Sequence, residues 1–362
     1  MKKKLEIAGK IIRLPTFVPD GTFGVVRSLD AQDLENCGVQ AVMMNIFHLM
    51  QKPGSSTIQA LDGLHHFSGW EGPIFTDSGG FQAYSLMKEN SRFGQVSSDG
   101  ISFFPEGGQR KFLLTPEKCI HLQINYGSNL LFCLDDCTHV DEPDADQKIA
   151  VERTIAWAKR CKKEYQKQIE QKKIKGSQQP FLFGIVQGGN SHELRKKCAE
   201  ALLEIGFDGY GFGGWPLTNA GELVEDILAY LREIIPMQFP LHALGIGHPE
   251  FIKKSFSFGY DLFDSAMPTR DARHGRIYRF TEPAGLDGKN WWEYLYIYDQ
   301  RHIKSNQPVS DDCDCHTCQH YTIAFLHHLF KINDNLYQRL ATIHNLRFIT
   351  QLCERLQQPA HG

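Results

Sequence analysis

Eight short apolar runs recur along the chain, and the intervals between them carry helix signals. The runs are Thr16 to Pro19, Gln40 to Asn45, Pro73 to Asp77, Asn129 to Asp135, Phe181 to Gln187, Gly209 to Gly213, Leu241 to Gly245 and Asp261 to Ala266. Ser28 precedes a stretch closed by Gly38, Thr115-Pro116-Glu117 opens one closed by Gly127, and Asn190 with Glu193 suggests a capping box ahead of a segment ending at Gly206. Asp144 to Lys163, Ala220 to Ile234 and Pro249 to Phe258 complete the set. Leu194, Cys198, Ala201, Leu202 and Ile205 fall at helical spacing. Eight strand–helix units predict an α/β fold, a (β/α)8 TIM barrel, with an open doubly wound sheet as the alternative.

The 362 residues accommodate such a barrel of about 250 residues with an appendage. With 41% hydrophobic and 22% charged residues, a mainly disordered or fibrous chain is excluded. Lysine plus arginine (39) against aspartate plus glutamate (42) leaves a net charge of −3, so a nucleic-acid surface has to be a local patch. The apolar stretch after Met1-Lys2-Lys3-Lys4 is broken by Glu6, Lys10 and Arg13, which is not a signal peptide, and no apolar run reaches the ~18 residues of a membrane span. A cytoplasmic protein without a membrane partner is expected. The interval Asp77 to Asn129 exceeds one crossover, which places an insertion at about 87–114, read as a flap over the barrel mouth. Lys159 to Lys175 holds eight basic residues and reads as a solvated helix end and loop. From about Gly285 the composition changes, so residues 1–284 are read as the barrel and 285–362 as an appended subdomain.

Within that tail, Cys313-x-Cys315-x-x-Cys318 puts three soft ligands within reach of one ion. In a reducing compartment such a triplet favours metal over disulfides. A tetrahedral zinc needs a fourth ligand, and His316, His320, His327, His328 and His344 are available. Asn333-Asp334 reads as a turn between two helices, and the second helix would carry His344 back toward the cluster on the face of Leu336, Leu340 and Ile343. Three thiolates and an imidazole leave no open position, so one structural zinc per chain is expected.

Catalytic groups in a barrel sit at the C-terminal strand ends. Three runs carry an aspartate there: Asp77 in Thr-Asp-Ser-Gly-Gly-Phe-Gln, Asp135 in Cys-Leu-Asp-Asp-Cys-Thr, and Asp264 in Phe-Asp-Ser-Ala-Met-Pro-Thr-Arg. Singly each suits a helix N-cap; together they favour a site. No His-x-His ends the first run and no Cys-x3-Cys-x2-Cys occurs, which argues against a metal-dependent hydrolase or a radical cluster. Paired carboxylates without metal suit substitution at an anomeric carbon. Gly184-Ile185-Val186-Gln187-Gly188-Gly189 and Gly211-Phe212-Gly213-Gly214 end strands with bare backbone and one amide, a setting for a flat, purine-like ligand.

These motifs, in their order and spacing, resemble the tRNA-guanine transglycosylases (queuine tRNA-ribosyltransferases). The resemblance runs from about Pro15 to Phe348 through Asn45-Ile46-Phe47-His48-Leu49, Thr76 to Gln82, Asp135-Asp136-Cys137-Thr138, Gly184 to Gly189, Phe263-Asp264 with Met267-Pro268-Thr269-Arg270, and the cysteine cluster. It implies exchange of the wobble guanine of GUN-anticodon tRNAs for a 7-deazaguanine by double displacement. Asp264 matches the nucleophile and Asp77 the residue that handles protons on the bases. Asp135, Gln187 and the Gly214 backbone match base contacts, Phe81 a stacking ring, and Arg270 and Arg273 contacts to the tRNA anticodon loop. Cys313, Cys315, Cys318 and His344 match four zinc ligands. The resemblance also implies a homodimer formed near the zinc subdomain.

Three departures bear on which base is inserted. Trp215-Pro216-Leu217-Thr218-Asn219 stands where the family places Leu, small residues and Glu; His274 stands where bacterial members carry Asn; and Phe103 to Gly108 does not follow the usual flap sequence. An indole followed by proline either fills the hole beside the 7-substituent or swings the loop away and enlarges it, and the enlarged pocket is the expectation here. Alternatives are a related enzyme acting on DNA and a non-catalytic partner subunit, the latter disfavoured by Asp77 with Asp264. An archaeosine-type enzyme would carry further RNA-binding domains for which the chain has no room.

Overall fold

The computed structural model describes residues 4–90, 92–104, 111–281, 286, 288 and 290–358. All eight apolar runs form parallel strands of one sheet: β1 (Thr16–Pro19), β2 (Val42–Asn45), β3 (Ile74–Asp77), β4 (Leu130–Phe132), β5 (Phe181–Val186), β6 (Gly209–Phe212), β7 (Leu241–Ala243) and β8 (Leu262–Ser265). The order around the sheet is β1-β8-β7-β6-β5-β4-β3-β2. An isolated parallel bridge between Asp20 and Met43 brings β1 back to β2, so the sheet curls into a nearly closed barrel. The barrel expectation holds and the open sheet does not. Because every strand is parallel, their C-terminal ends share one mouth.

Two apolar layers hold the barrel. Val18, Met43, Phe75, Leu130, Phe132, Phe183, Ile185 and Leu262 fill the interior, while a larger cluster lies between the strands and the surrounding helices. A hairpin, Lys4–Ile7 paired with Lys10–Arg13, precedes β1. Its alternation buries Leu5, Ile7 and Ile12, and these join the interior cluster from the end opposite the mouth.

Several element ends differ from the sequence reading. The helix Ala31–Asn36 is capped by Asp30, not Ser28, with Asp33 completing a capping box. The helix His192–Ile205 is capped by Ser191, whose hydroxyl accepts from Leu194 N–H, not by Asn190. The helix opening at Asp144 runs on to Gln171, so most of the basic segment is helix and not loop. The helix expected from Ala220 begins at Glu225, because a Leu217–Leu223 bridge keeps the preceding residues in a turn.

The 87–114 insertion forms a three-stranded antiparallel sheet, Gly94–Val96, Ile101–Phe103 and Phe112–Leu114. It is packed down: Phe103 is fully buried against Phe47, which follows β2 at the mouth end, and Trp157 Nε1 donates to Ser98 O at 2.9 Å. Pro105, Glu106, Gly107 and Gly108 of the atypical flap lie outside the described residues. The strand Arg276–Phe280 pairs with Trp292–Tyr296, so this hairpin straddles the boundary expected at 285. The expected turn at Asn333-Asp334 separates helices Ile323–Lys331 and Asn335–Gln357.

Candidate active site

The mouth gathers the three expected aspartates and a fourth. Asp264, on β8, is partly buried, and its Oδ1 takes two hydrogen bonds: from Nε2 of the fully buried His242 on β7 at 2.9 Å, and from Gly245 N–H at 3.1 Å. Asp77 ends β3. Its Oδ2 accepts from Asn45 Nδ2 at 2.6 Å and its Oδ1 from Gly79 N–H at 3.2 Å. Register explains the first contact, since Asn45 lies opposite Asp77 across the β2–β3 pair. Burial, then the charges of Asp20 and Asp264, pushes the Asp77 carboxyl well above its ordinary range.

Asp135 and Gln187 form a buried pair beside them. Gln187 Nε2 donates to Asp135 Oδ2 at 2.7 Å, and Ser78 Oγ donates to Oδ1 at 3.0 Å. Burial nevertheless raises the Asp135 carboxyl to about 6. The Gln187 side chain is fully buried, its Oε1 has no partner among the described residues, and its amide also lies against the buried Cys137 thiol. The wall around this buried, unpaired acceptor is built from two glycine turns. Its glycines are required by packing: Gly214 has φ +87°, and a Cβ there would lie 2.9 Å from Thr138 O, while one on Gly213 would meet the Gln187 amide at 2.7 Å. Arg195 fixes both glycine turns. Its buried guanidinium donates to the carbonyls of Gly189 and Gly213, each at 3.0 Å, and to that of Val186.

Phe81 and Trp215 meet each other, with ring centroids 5.3 Å apart and 16° between planes, and both are more than a third exposed. The indole thus stands at the mouth on Phe81 rather than filling a buried hole. Arg270 and Arg273 come from the helix Met267–Arg273 that follows β8. Arg270 is exposed, and Arg273 is half-buried, with one guanidinium nitrogen lacking a partner among the described residues. Burial and the charges of Arg27 and Arg270 lower the Arg273 pKa, which marks a local basic cluster beside the carboxylates.

Away from the mouth, Cys313, Cys315, Cys318 and His344 are all buried, and their ligand atoms lie within 4.8 Å of one another. His344 Nδ1 is 3.2 Å from Cys318 Sγ and 3.6 Å from Cys315 Sγ, and its Nε2 donates to Tyr278 O at 2.7 Å. That outer bond fixes the tautomer and leaves Nδ1 as the ligand. Three thiols and one imidazole so disposed suit a tetrahedral metal ion with no open position. The geometry selects His344 among the histidines left open by spacing.

Three residues escaped the sequence reading. Asp20 follows β1 as Asp77 ends β3, and that shared strand-end position was the available signal. His242 sits inside an apolar run, and Arg195 on a helix gives no sign in sequence of being buried.

The family model for queuine tRNA-ribosyltransferase covers residues 3–359. The chain belongs to the queuine tRNA-ribosyltransferase family. Among curated members, that of Idiomarina loihiensis is 36% identical over 337 residues, 93% of this chain and 84% of the relative. Those of a Thermoanaerobacter species and of Methylacidiphilum infernorum are each 36% identical, over 98% and 97% of this chain and 88% and 89% of theirs. All carry the name queuine tRNA-ribosyltransferase.

Proposed function

We propose that the chain exchanges the wobble guanine, position 34, of GUN-anticodon tRNAs for a 7-deazaguanine, queuine or its aminomethyl precursor, in queuosine modification. The observation that carries the reading is Asp264, with one oxygen held, beside Asp77 and the buried Asp135–Gln187 pair at one barrel mouth. Oδ2 of Asp264 attacks C1′ of the ribose, the C1′–N9 bond breaks, and guanine leaves with the electron pair and a proton from Asp77. Asp77 then takes the N9 proton of the incoming base, whose nitrogen attacks C1′ and releases the Asp264 carboxylate. The raised pKa of Asp77 suits a group that starts protonated.

Asp135 accepts from the N–H groups of the base, while the Gln187 amide and the Gly214 N–H donate to its exocyclic oxygen. Phe81 stacks on the ring, and Trp215 borders the space for the 7-substituent. Arg270 and Arg273 bind the anticodon loop. Cys313, Cys315, Cys318 and His344 hold one structural zinc, and no chemical step passes through it. The proposal includes a cytoplasmic homodimer, with residues 1–284 as catalytic barrel and 285–362 as zinc subdomain.

The test is incubation with labelled guanine and either undermodified tRNA or duplex DNA. Label should enter the tRNA and be chased by an unlabelled 7-deazaguanine. Label entering only DNA would replace this reading with the DNA enzyme, and label entering neither would leave the partner-subunit reading.

A further inference from the structure

Asp20 has no role in the mechanism above, yet it stands between its two central carboxylates. Across the β1–β8 pair, Val18 lies opposite Asp264 and Pro19 opposite Ser265. On its other side Asp20 bridges Met43, two residues before the Asn45 that holds Asp77. The ring of strand ends therefore runs Asp264, Asp20, Asn45, Asp77, and Asp20, two residues beyond the inward-facing Val18, is close enough to interact with both other carboxylates. The Thr22 hydroxyl donates to its Oδ1 and orients it. Arg27 and Arg273 lie near enough to offset part of its charge.

A second observation concerns the nucleophile. When a carboxylate displaces the base of a β-nucleoside it arrives on the face opposite the base, the face that carries the 2′-hydroxyl. Transfers of this kind gain from a hydrogen bond to that hydroxyl, which strengthens as charge develops on the sugar. Here Oδ1 of Asp264 is already taken by His242 and Gly245, and Oδ2 is committed to C1′. The hydroxyl then needs a different acceptor. Asp20 is the neighbouring carboxylate on the strand that pairs with β8.

We infer that Asp20 accepts the hydrogen bond of the 2′-hydroxyl on the nucleoside under exchange, so that the chain reads ribose and rejects deoxyribose at that one position. The inference rests on the assignment of Asp264 as nucleophile. It deepens the proposed function by naming the residue that tells RNA from DNA.

The test uses two anticodon-stem-loop RNA hairpins, one entirely ribose and one with a single 2′-deoxyguanosine at the exchanged position. Labelled-guanine incorporation is measured for the unaltered protein, Asp20→Ala and Asp20→Asn. The unaltered protein should favour the ribose hairpin in kcat/KM by about tenfold to a hundredfold, the range of a hydrogen bond to a charged group. Because the Asp20 charge also raises the Asp77 carboxyl, activity on both hairpins shifts together in the variants, and the readout is the ratio: Asp20→Ala should bring it to about one, and Asp20→Asn, a neutral acceptor of the same shape, should fall between. The KM for guanine should stay within about twofold in all three. A ribose preference that survives both substitutions, whatever the common loss, would overturn the inference. Failure of the unaltered protein on both hairpins would instead overturn the transglycosylase reading beneath it.

Discussion

Asp264, Asp77 and Asp135 are one residue type in three settings, and the settings divide the chemistry. Asp264 has one oxygen tied by two donors and one turned to the mouth, so Asp264→Asn should abolish a covalent protein–RNA adduct. A denaturing gel with full-strength adduct would remove Asp264 from the mechanism. Asp77 is tied to Asn45 and Gly79 and forms no ion pair with an arginine among the described residues, so Asp77→Asn should slow exchange by about a hundredfold or more while tRNA binding stays nearly intact. Equal loss of binding and exchange would contradict that division. Asp135 has its carboxyl raised to about 6 by burial, so it is an ionised acceptor at neutral pH and gains a proton as the medium is acidified through that value. The KM for guanine should therefore rise below about pH 6, and Asp135→Asn should show a high KM without the inflection. The stability effect has the opposite sign. The protonated form is favoured by folding, so ionisation costs stability as pH rises from 3.8 to about 6, and Asp135→Asn should melt higher than the unaltered protein near neutrality. The three aspartates were legible in sequence because each lies at or near the end of an apolar run. Asp20 carried the same strand-end signal, one residue past Pro19, but its place between Asp264 and Asp77 depends on barrel closure, a long-range event that brings it to Met43.

All eight strands were readable, because apolar runs bounded by glycine and helix signals are a local property. Element ends were less so. Ser191 caps where Asn190 was expected because either side chain can serve, and backbone direction at the turn decides between them. The helix beyond Lys163 was hidden by its basic surface, although Tyr165 and Gln168 continue its buried face. Arg195 shows what local reading misses altogether: a charged helix residue whose side chain braces two loops. Burial lowers its pKa to about 10, still protonated at neutral pH, and its bonds to three carbonyls hold the two glycine turns around Gln187. Arg195→Met should lower the melting temperature and raise the KM for guanine at least about tenfold while the adduct rate with tRNA falls less. Unchanged guanine KM in a folded variant would show that the turns stand without it. The 215–223 loop makes a different forecast. Its indole rests on Phe81 at the surface instead of filling a buried hole, and queuine should therefore compete with labelled guanine. Exclusive competition by the aminomethyl base, unaltered in Trp215→Leu, would refute this.

The tail and the barrel form one body. Helix Asn335–Gln357 ties to the first barrel helix through Arg339, whose guanidinium meets Asp33 with two bonds of 2.8 Å, and to the segment before β1 through Gln357 and Pro15 O. Beside His344 of the cysteine–histidine cluster, Asn345 donates to Pro268 O and accepts from Tyr278 N–H, linking the cluster to the helix of Arg270 and Arg273. The protein should hold about one zinc per chain, and Cys315→Ser should cost several kcal/mol of stability and weaken tRNA binding before guanine binding. Metal analysis returning no zinc in an active preparation would discard the site. The cluster was readable as spacing, whereas its coupling to the arginine helix was not, since it depends on how two distant segments pack. The hairpin Lys4–Arg13 imposes a rule of traffic. The barrel interior is already filled and Leu5, Ile7 and Ile12 extend that plug to the far end, so among the described residues the mouth is the doorway, and whatever is expelled must clear it before its replacement can come in. Departing guanine and arriving base should thus exclude one another, giving parallel lines in a two-substrate plot and making guanine a competitor of its own successor.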